Sequence, residues 1–160
     1  QNIIRDCPSP LLDSRMHTRD HARKNDTTAD EMAELFARCE FARLLGIQVI
    51  ELWPGGAKVA MDITDKRNPL GNVHGGAVFS LADHAFGLAA NSGGIQEVAL
   101  SAQITYISPS TGRLVAVAER VSENKHGSLV SVRVWDGERL VATFEGIGIR
   151  VAQGKKGRDK

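Results

Sequence analysis

The run from Gly75 to Ser92 contains no proline and is apolar around most of its circumference. Ala77, Val78, Leu81, Ala82, Ala85, Leu88 and Ala89 recur at helical spacing, and Gly93-Gly94 follows as a stop signal. A helix of that kind has no wide polar face to give to water, so the rest of the chain must enclose it. With 160 residues there is material for one domain and one real core, without a disulfide or metal staple.

The flanking segments supply the enclosure. After the helix, Val98–Tyr106 alternates apolar and polar residues, and Arg113–Val121 is rich in Val and Ala. Ser128–Trp135 alternates again, Asp136-Gly137 is a hairpin signal, and Arg139–Val151 closes the series. Before the helix, Ile47–Leu52 and Ala57–Ile63 flank the turn Pro54-Gly55-Gly56. Further upstream, Thr28-Ala-Asp-Glu31 has capping-box spacing, which predicts a short amphipathic helix over about 29–45 that Gly46 ends. The predicted fold class is α+β: an antiparallel sheet wrapped around one long central helix, with a short N-terminal helix. A single curled sheet leaves the outer helix face uncovered, which calls for a second subunit. Residues 1–27 read as a polar leader, 28–151 as the domain and 152–160 as a basic tail.

Charge excludes some partners. Lys+Arg 20 against Asp+Glu 19 leaves +1, no electrostatic case for nucleic acid or a membrane surface. No apolar stretch reaches about 18 residues and the first thirty lack a secretory core, so a cytoplasmic location is expected. Cys7 and Cys39 make neither a disulfide framework nor a metal cluster. His17, His21 and His84 lack metal-ligand spacing, so no metal is expected.

Two features can carry chemistry. Asp83 sits mid-helix among Phe79, Leu81, Ala82, Ala85 and Phe86, where a carboxylate is costly without a partner or a task. Gly76, Gly87 and Ala90 lie on the same stripe and leave room for something to approach it, or simply for a close helix–helix crossing. The second feature is Asn68-Pro-Leu-Gly71-Asn72-Val-His74-Gly75-Gly76, leading into the helix. Backbone N–H groups at a helix start have no intrahelical acceptor and, with the helix dipole, suit an anion or oxyanion; the alternative is a tight turn. Gly75 and Asp83 are eight residues apart, about 12 Å along the axis. If both serve one reaction centre, they must come from different chains related by a two-fold axis.

These residues carry a family resemblance. Asn68…Gly71-x-x-His74-Gly75-Gly76-x-x-x-Ser80-Leu81-x-Asp83, then Asn91-Ser92-x-Gly94, resembles the hotdog-fold thioesterases, most closely the phenylacetic-acid-pathway (PaaI-type) branch. The resemblance runs through Ser101–Tyr106, Pro109 and Gly112 to the last strand, roughly 31–151. It implies hydrolysis of acyl-CoA thioesters, aromatic ones such as phenylacetyl or short to medium chains, by an obligate homodimer that pairs into a dimer of dimers. No cofactor is implied, coenzyme A being part of the substrate.

Carried over by position, Asp83 is the catalytic acid, Gly75 supplies the amide that polarises the carbonyl, and Asn68 binds substrate or water. His74 belongs to the motif. Gly87 stands where some relatives carry a Ser or Thr that positions water. Gly76, Phe79 and Gly87 are expected beside the acyl group. Lys125, His126 and Gly127, at a strand-to-strand turn, are expected at the coenzyme A phosphates, with Lys66, Arg67 and Arg113 as further candidates. The runner-up reading is a non-catalytic module that binds acyl-CoA or an acyl carrier. A lyase on the same fold would need a different histidine-plus-acid arrangement, which this sequence lacks.

Overall fold

A computed structural model describes residues 34–151, Gly93 excepted. The first expected helix is split. Its start at Thr28 lies outside the described residues, as do the leader and the tail. A helical turn over 34–37 is closed by the amides of Arg38 and Cys39 donating to the carbonyls of Leu35 and Phe36, at 3.2 and 3.0 Å. That three-residue spacing tightens the chain and ends the helix. Cys39 is then extended (φ −62°, ψ 108°), and a second helix, α1 (Glu40–Leu45), starts behind it and stops at Gly46 in the left-handed region, φ 65°.

Strands β1 (Ile47–Trp53) and β2 (Gly56–Met61) form the expected hairpin, with Gly55 at φ 79° in its turn. The central helix, α2 (Gly75–Asn91), follows the glycine-rich loop. Then come β3 (Glu97–Tyr106), β4 (Leu114–Glu123), β5 (Gly127–Asp136) and β6 (Arg139–Arg150). All pairs are antiparallel, in the order β1-β2-β4-β5-β6-β3. Strand β3 thus ends up at an edge, beside the last strand rather than the next one.

Crossing from β3 back to β4 takes the loop over 107–113, and Asp136 anchors it. Its carboxylate accepts from the Ser110 hydroxyl (3.0 Å), the amides of Thr111 (3.2 Å) and Gly112 (3.1 Å), and Arg139 (2.8 Å). Burial alone would push this carboxyl up. The donors outweigh that effect and hold it below its ordinary range.

One sheet face supplies the core. Val59 and Met61, Leu114 and Ala116, Val130, Val132 and Val134, and Phe144 are buried against Leu81, Ala85, Leu88 and Ala89 of the helix. The Arg120 side chain reaches up from β4 and donates to the carbonyls of Ala89 (2.8 Å) and Ala90 (3.1 Å). A guanidinium at that end satisfies orphan acceptors and opposes the helix dipole. The sheet therefore holds α2 along its length and at its tail, while β3 leaves Val98, Leu100 and Tyr106 exposed along an unpaired edge.

Candidate active site

The loop before α2 is built by Asn68. Its Oδ1 accepts from the amides of Leu70 (2.9 Å) and Asn72 (3.1 Å), and its own amide donates to the Asn72 carbonyl (2.7 Å). Gly71 sits at φ 81°, a conformation that suits glycine. With the oxygen used inside the loop, the Nδ2 donor is the part of Asn68 left to face a ligand.

His74 is the N-cap of α2, and its Nδ1 accepts the Gly76 amide at 2.9 Å. An acceptor at Nδ1 puts the proton of the neutral ring on Nε2. The amides of Ala77 and Val78 both turn back to the His74 carbonyl, at 2.9 and 3.2 Å. Gly75 is thereby singled out: its N–H has no acceptor among the described residues. It stands at the first position of a 17-residue helix, where the dipole favours negative charge. Its neighbour Gly76 has already given its N–H to the histidine.

A residue that sequence reasoning used only as part of a motif shapes this corner. The Tyr106 hydroxyl donates to the Gly75 carbonyl at 3.0 Å, and its ring lies 3.3 Å from where a Cβ at 75 would stand. Its position at the end of an alternating strand, ahead of Pro109, was the available signal. Asn68, Asn72, Gly75, Tyr106, Ser108 and Ser110 line a groove of about 330 Å³ at the helix entrance.

Asp83 is not in that groove. It lies two turns further along α2, half-buried on the side that the sheet does not cover. Burial pushes its carboxyl up from the ordinary 3.8, and no donor among the described residues opposes this. Ser80, one turn earlier, spends its hydroxyl on the Gly76 carbonyl at 2.8 Å. Gly87, one turn later, is covered by Phe36: a Cβ there would stand 3.1 Å from the ring. The same ring meets His84 edge to face, centroids 5.6 Å apart. Phe79 packs edge-on against Phe144 at 5.6 Å and belongs to the rim of the core. Phe86 is buried over Gly146.

The basic turn lies at the other end of the molecule. Gly127 pairs with Ile149, the His126 carbonyl accepts the Arg150 amide at 2.8 Å, and Arg150 faces Glu97, the first residue of β3. Tyr106, at the last residue of β3, marks the Gly75 end. Ten strand residues separate the two ends, roughly 30 Å. Lys125 and His126 are exposed, and Gly127 is fixed by packing, since any Cβ would run into the Gly148 carbonyl. Within one chain, then, the amide, the carboxylate and the basic turn are spread along the helix rather than gathered.

The sequence and the fold both have known relatives. The sequence model of the thioesterase superfamily matches residues 70–143. A putative esterase from Archaeoglobus fulgidus is 32% identical over 134 residues, 81% of this chain and 87% of that protein. The acyl-coenzyme A thioesterase PaaI of Escherichia coli is 33% identical over 114 residues, 69% of this chain and 81% of that one. The solved structure of the E. coli PaaI protein, from the phenylacetic acid degradation operon, superposes with a TM-score of 0.75 at 30% identity. It covers 78% of this chain and 94% of its own. A variant of the phenylacetic acid degradation protein PaaI from Thermus thermophilus gives 0.67 at 37% identity, covering 69% and 98%.

Proposed function

The chain belongs to the thioesterase superfamily, as a hotdog-fold thioesterase of the PaaI type, and we propose that it hydrolyses acyl-CoA thioesters, aromatic or of short to medium length. One observation carries the reading: the Gly75 amide, the one N–H of the helix entrance with no acceptor among the described residues, shares its helix with a half-buried carboxylate whose proton affinity is raised. The first suits a developing oxyanion; the second suits a base near neutral pH.

Attack on the thioester carbonyl puts negative charge on its oxygen. A fixed N–H in a dry site can lower that barrier by roughly 3–4 kcal/mol. Asp83 accepts a proton from the attacking water, the C–S bond breaks, and the thiolate leaves and is protonated. In the other route the carboxylate attacks first, and water then cleaves the mixed anhydride. Both routes consume one water and yield free acid and coenzyme A, and both need Asp83 ionised.

About 12 Å of helix separates Gly75 from Asp83, so one carbonyl meets both only across a dimer with antiparallel central helices. The exposed edge β3, with Val98, Leu100 and Tyr106, is the surface we assign to that pairing. Lys125 and His126, exposed on the basic turn, are the cations we assign to the coenzyme A phosphates. The dimers in turn form a dimer of dimers.

A panel of acyl-CoAs with a thiol reagent tests the proposal. Turnover by the purified protein, lost on Asp83→Asn while the dimer and acyl-CoA binding persist, supports it. Binding without turnover by the unsubstituted protein overturns it in favour of a carrier module.

A further inference from the structure

Along one side of α2, Asp83, Gly87 and Asn91 follow each other at four-residue spacing, from the half-buried carboxylate to the buried Asn91, whose side chain is bonded to the Glu97 backbone. Phe36 sits on the middle of that row, against Gly87 and His84. Beyond it, at Asn91, a groove of about 420 Å³ opens between the N-terminal segment and the start of β3. Leu35, Phe36, Cys39, Val98 and Val151 line it with Asn91. Leu35 and Val98 are about half exposed, at 50% and 49%, so apolar surface there faces water. Glu97 also borders the groove, but its carboxylate is taken by the Ser128 hydroxyl at 2.5 Å and by Arg150 at 3.4 Å.

From this geometry we infer that Phe36 is the end wall of the acyl site and sets the length of acyl group the enzyme accepts. The inference rests on the hydrolytic reading, which puts the thioester carbonyl beside Asp83. An acyl tail leaving that carbonyl along the row has one helical turn, about 6 Å, before it meets the Phe36 ring. That space suits a short chain, or an aryl ring laid against the phenylalanine. The groove on the far side is of ligand size and mostly apolar, with Arg38 and Gln96 also in its lining, and the Phe36 ring stands between it and Asp83. Gly87 is part of the device, because any side chain there would lift the ring.

The test compares the natural protein with Phe36→Ala and Phe36→Leu on straight-chain acyl-CoAs from acetyl to dodecanoyl, and on phenylacetyl-CoA. Two quantities are read: kcat/KM, and the Kd of each thioester for the same chains carrying Asp83→Asn. Removing the wall moves the optimum toward longer chains. Beyond the natural optimum, Phe36→Ala gains about fourfold per added methylene, the worth of one buried CH₂. Phe36→Leu shifts the optimum less. An unchanged length profile in folded Phe36→Ala overturns the assignment. So does an unchanged profile in Phe36→Leu, should the alanine variant melt. The Kd series decides the point without turnover, so a protein that binds but never hydrolyses brings down the hydrolytic reading and leaves the wall separately judged.

Discussion

Tyr106 and Gly75 hold each other in place: the phenol donates to the glycine carbonyl at 3.0 Å while its ring packs 3.3 Å from the position of the absent Cβ. The amide proposed to face the oxyanion is thus positioned from the last residue of an edge strand, not only by its own loop.

That relationship allows a test of the amide itself. Gly75 is the first helical residue, where proline is tolerated, and His74 before it is already extended (φ −63°, ψ 135°). Gly75→Pro deletes the N–H, and Gly75→Ala adds comparable crowding against Tyr106 while keeping it. The alanine variant is expected to lose only severalfold in kcat. The proline variant is expected to lose about 10²–10³-fold. Equal losses in steady-state assays would show that crowding, not the donor, matters.

The pH profile follows from Asp83. Its carboxyl is raised above 3.8 by burial, so the ionised form that both routes need is lost earlier on acidification. Log kcat/KM is expected to fall with unit slope below the raised pKa, on an acid limb shifted upward from the ordinary carboxylate range, and to be flat above it. The sign for stability is opposite. A raised folded pKa means the charged group costs stability above its unfolded value, and the fold gains as pH falls through the folded one. Asp83→Asn should therefore melt higher than the natural protein at neutral pH while being inactive. A lower melting temperature would mean that the carboxylate is paired in the assembly.

Much of this was legible in the sequence, for identifiable reasons. The buried helix announced itself through an almost uninterrupted apolar run, and the helix-entry glycines through their spacing to Asp83. The break at Cys39 did not show, because Met32, Leu35, Phe36, Cys39 and Arg43 keep helical spacing across it. Tertiary packing of Phe36 on Gly87 overrode the local pattern. Tyr106 and Asp136 were hidden for another reason. Each acts on backbone more than twenty residues away, and no local periodicity encodes that.

Asp136 offers a stability test away from the site. Held low by Arg139, Ser110 and two amides, it stabilises the fold fully above its unfolded value of 3.8, and that contribution disappears as pH falls through the depressed folded value. Asp136→Asn is expected to cost about 2 kcal/mol at neutral pH, the loss of hydrogen bonds to a charged group. In thermal melts the gap between variant and natural protein should close well below pH 3.8. A gap that is constant with pH would assign the effect to shape rather than charge.

The proposed division of the site between two chains has its own signature. In the two-fold dimer we propose, each centre takes Gly75 from one protomer and Asp83 from the other. Homodimers of Gly75→Pro and of Asp83→Asn are then both impaired at every centre. In a mixed dimer one centre collects both lesions, and the other pairs an intact glycine with an intact aspartate. Random re-assortment of equal amounts makes half the dimers mixed, and half the centres in those are whole. Activity should return to about a quarter of the natural level. It should appear only after the chains have exchanged, which subunit mixing before and after a denaturation–renaturation cycle can follow. If one chain held the complete site, every centre would keep one lesion and no mixture would exceed its more active parent. The assay thus reads the geometry of α2, whose span of about 12 Å from Gly75 to Asp83 is too long for one carbonyl, directly as a rate.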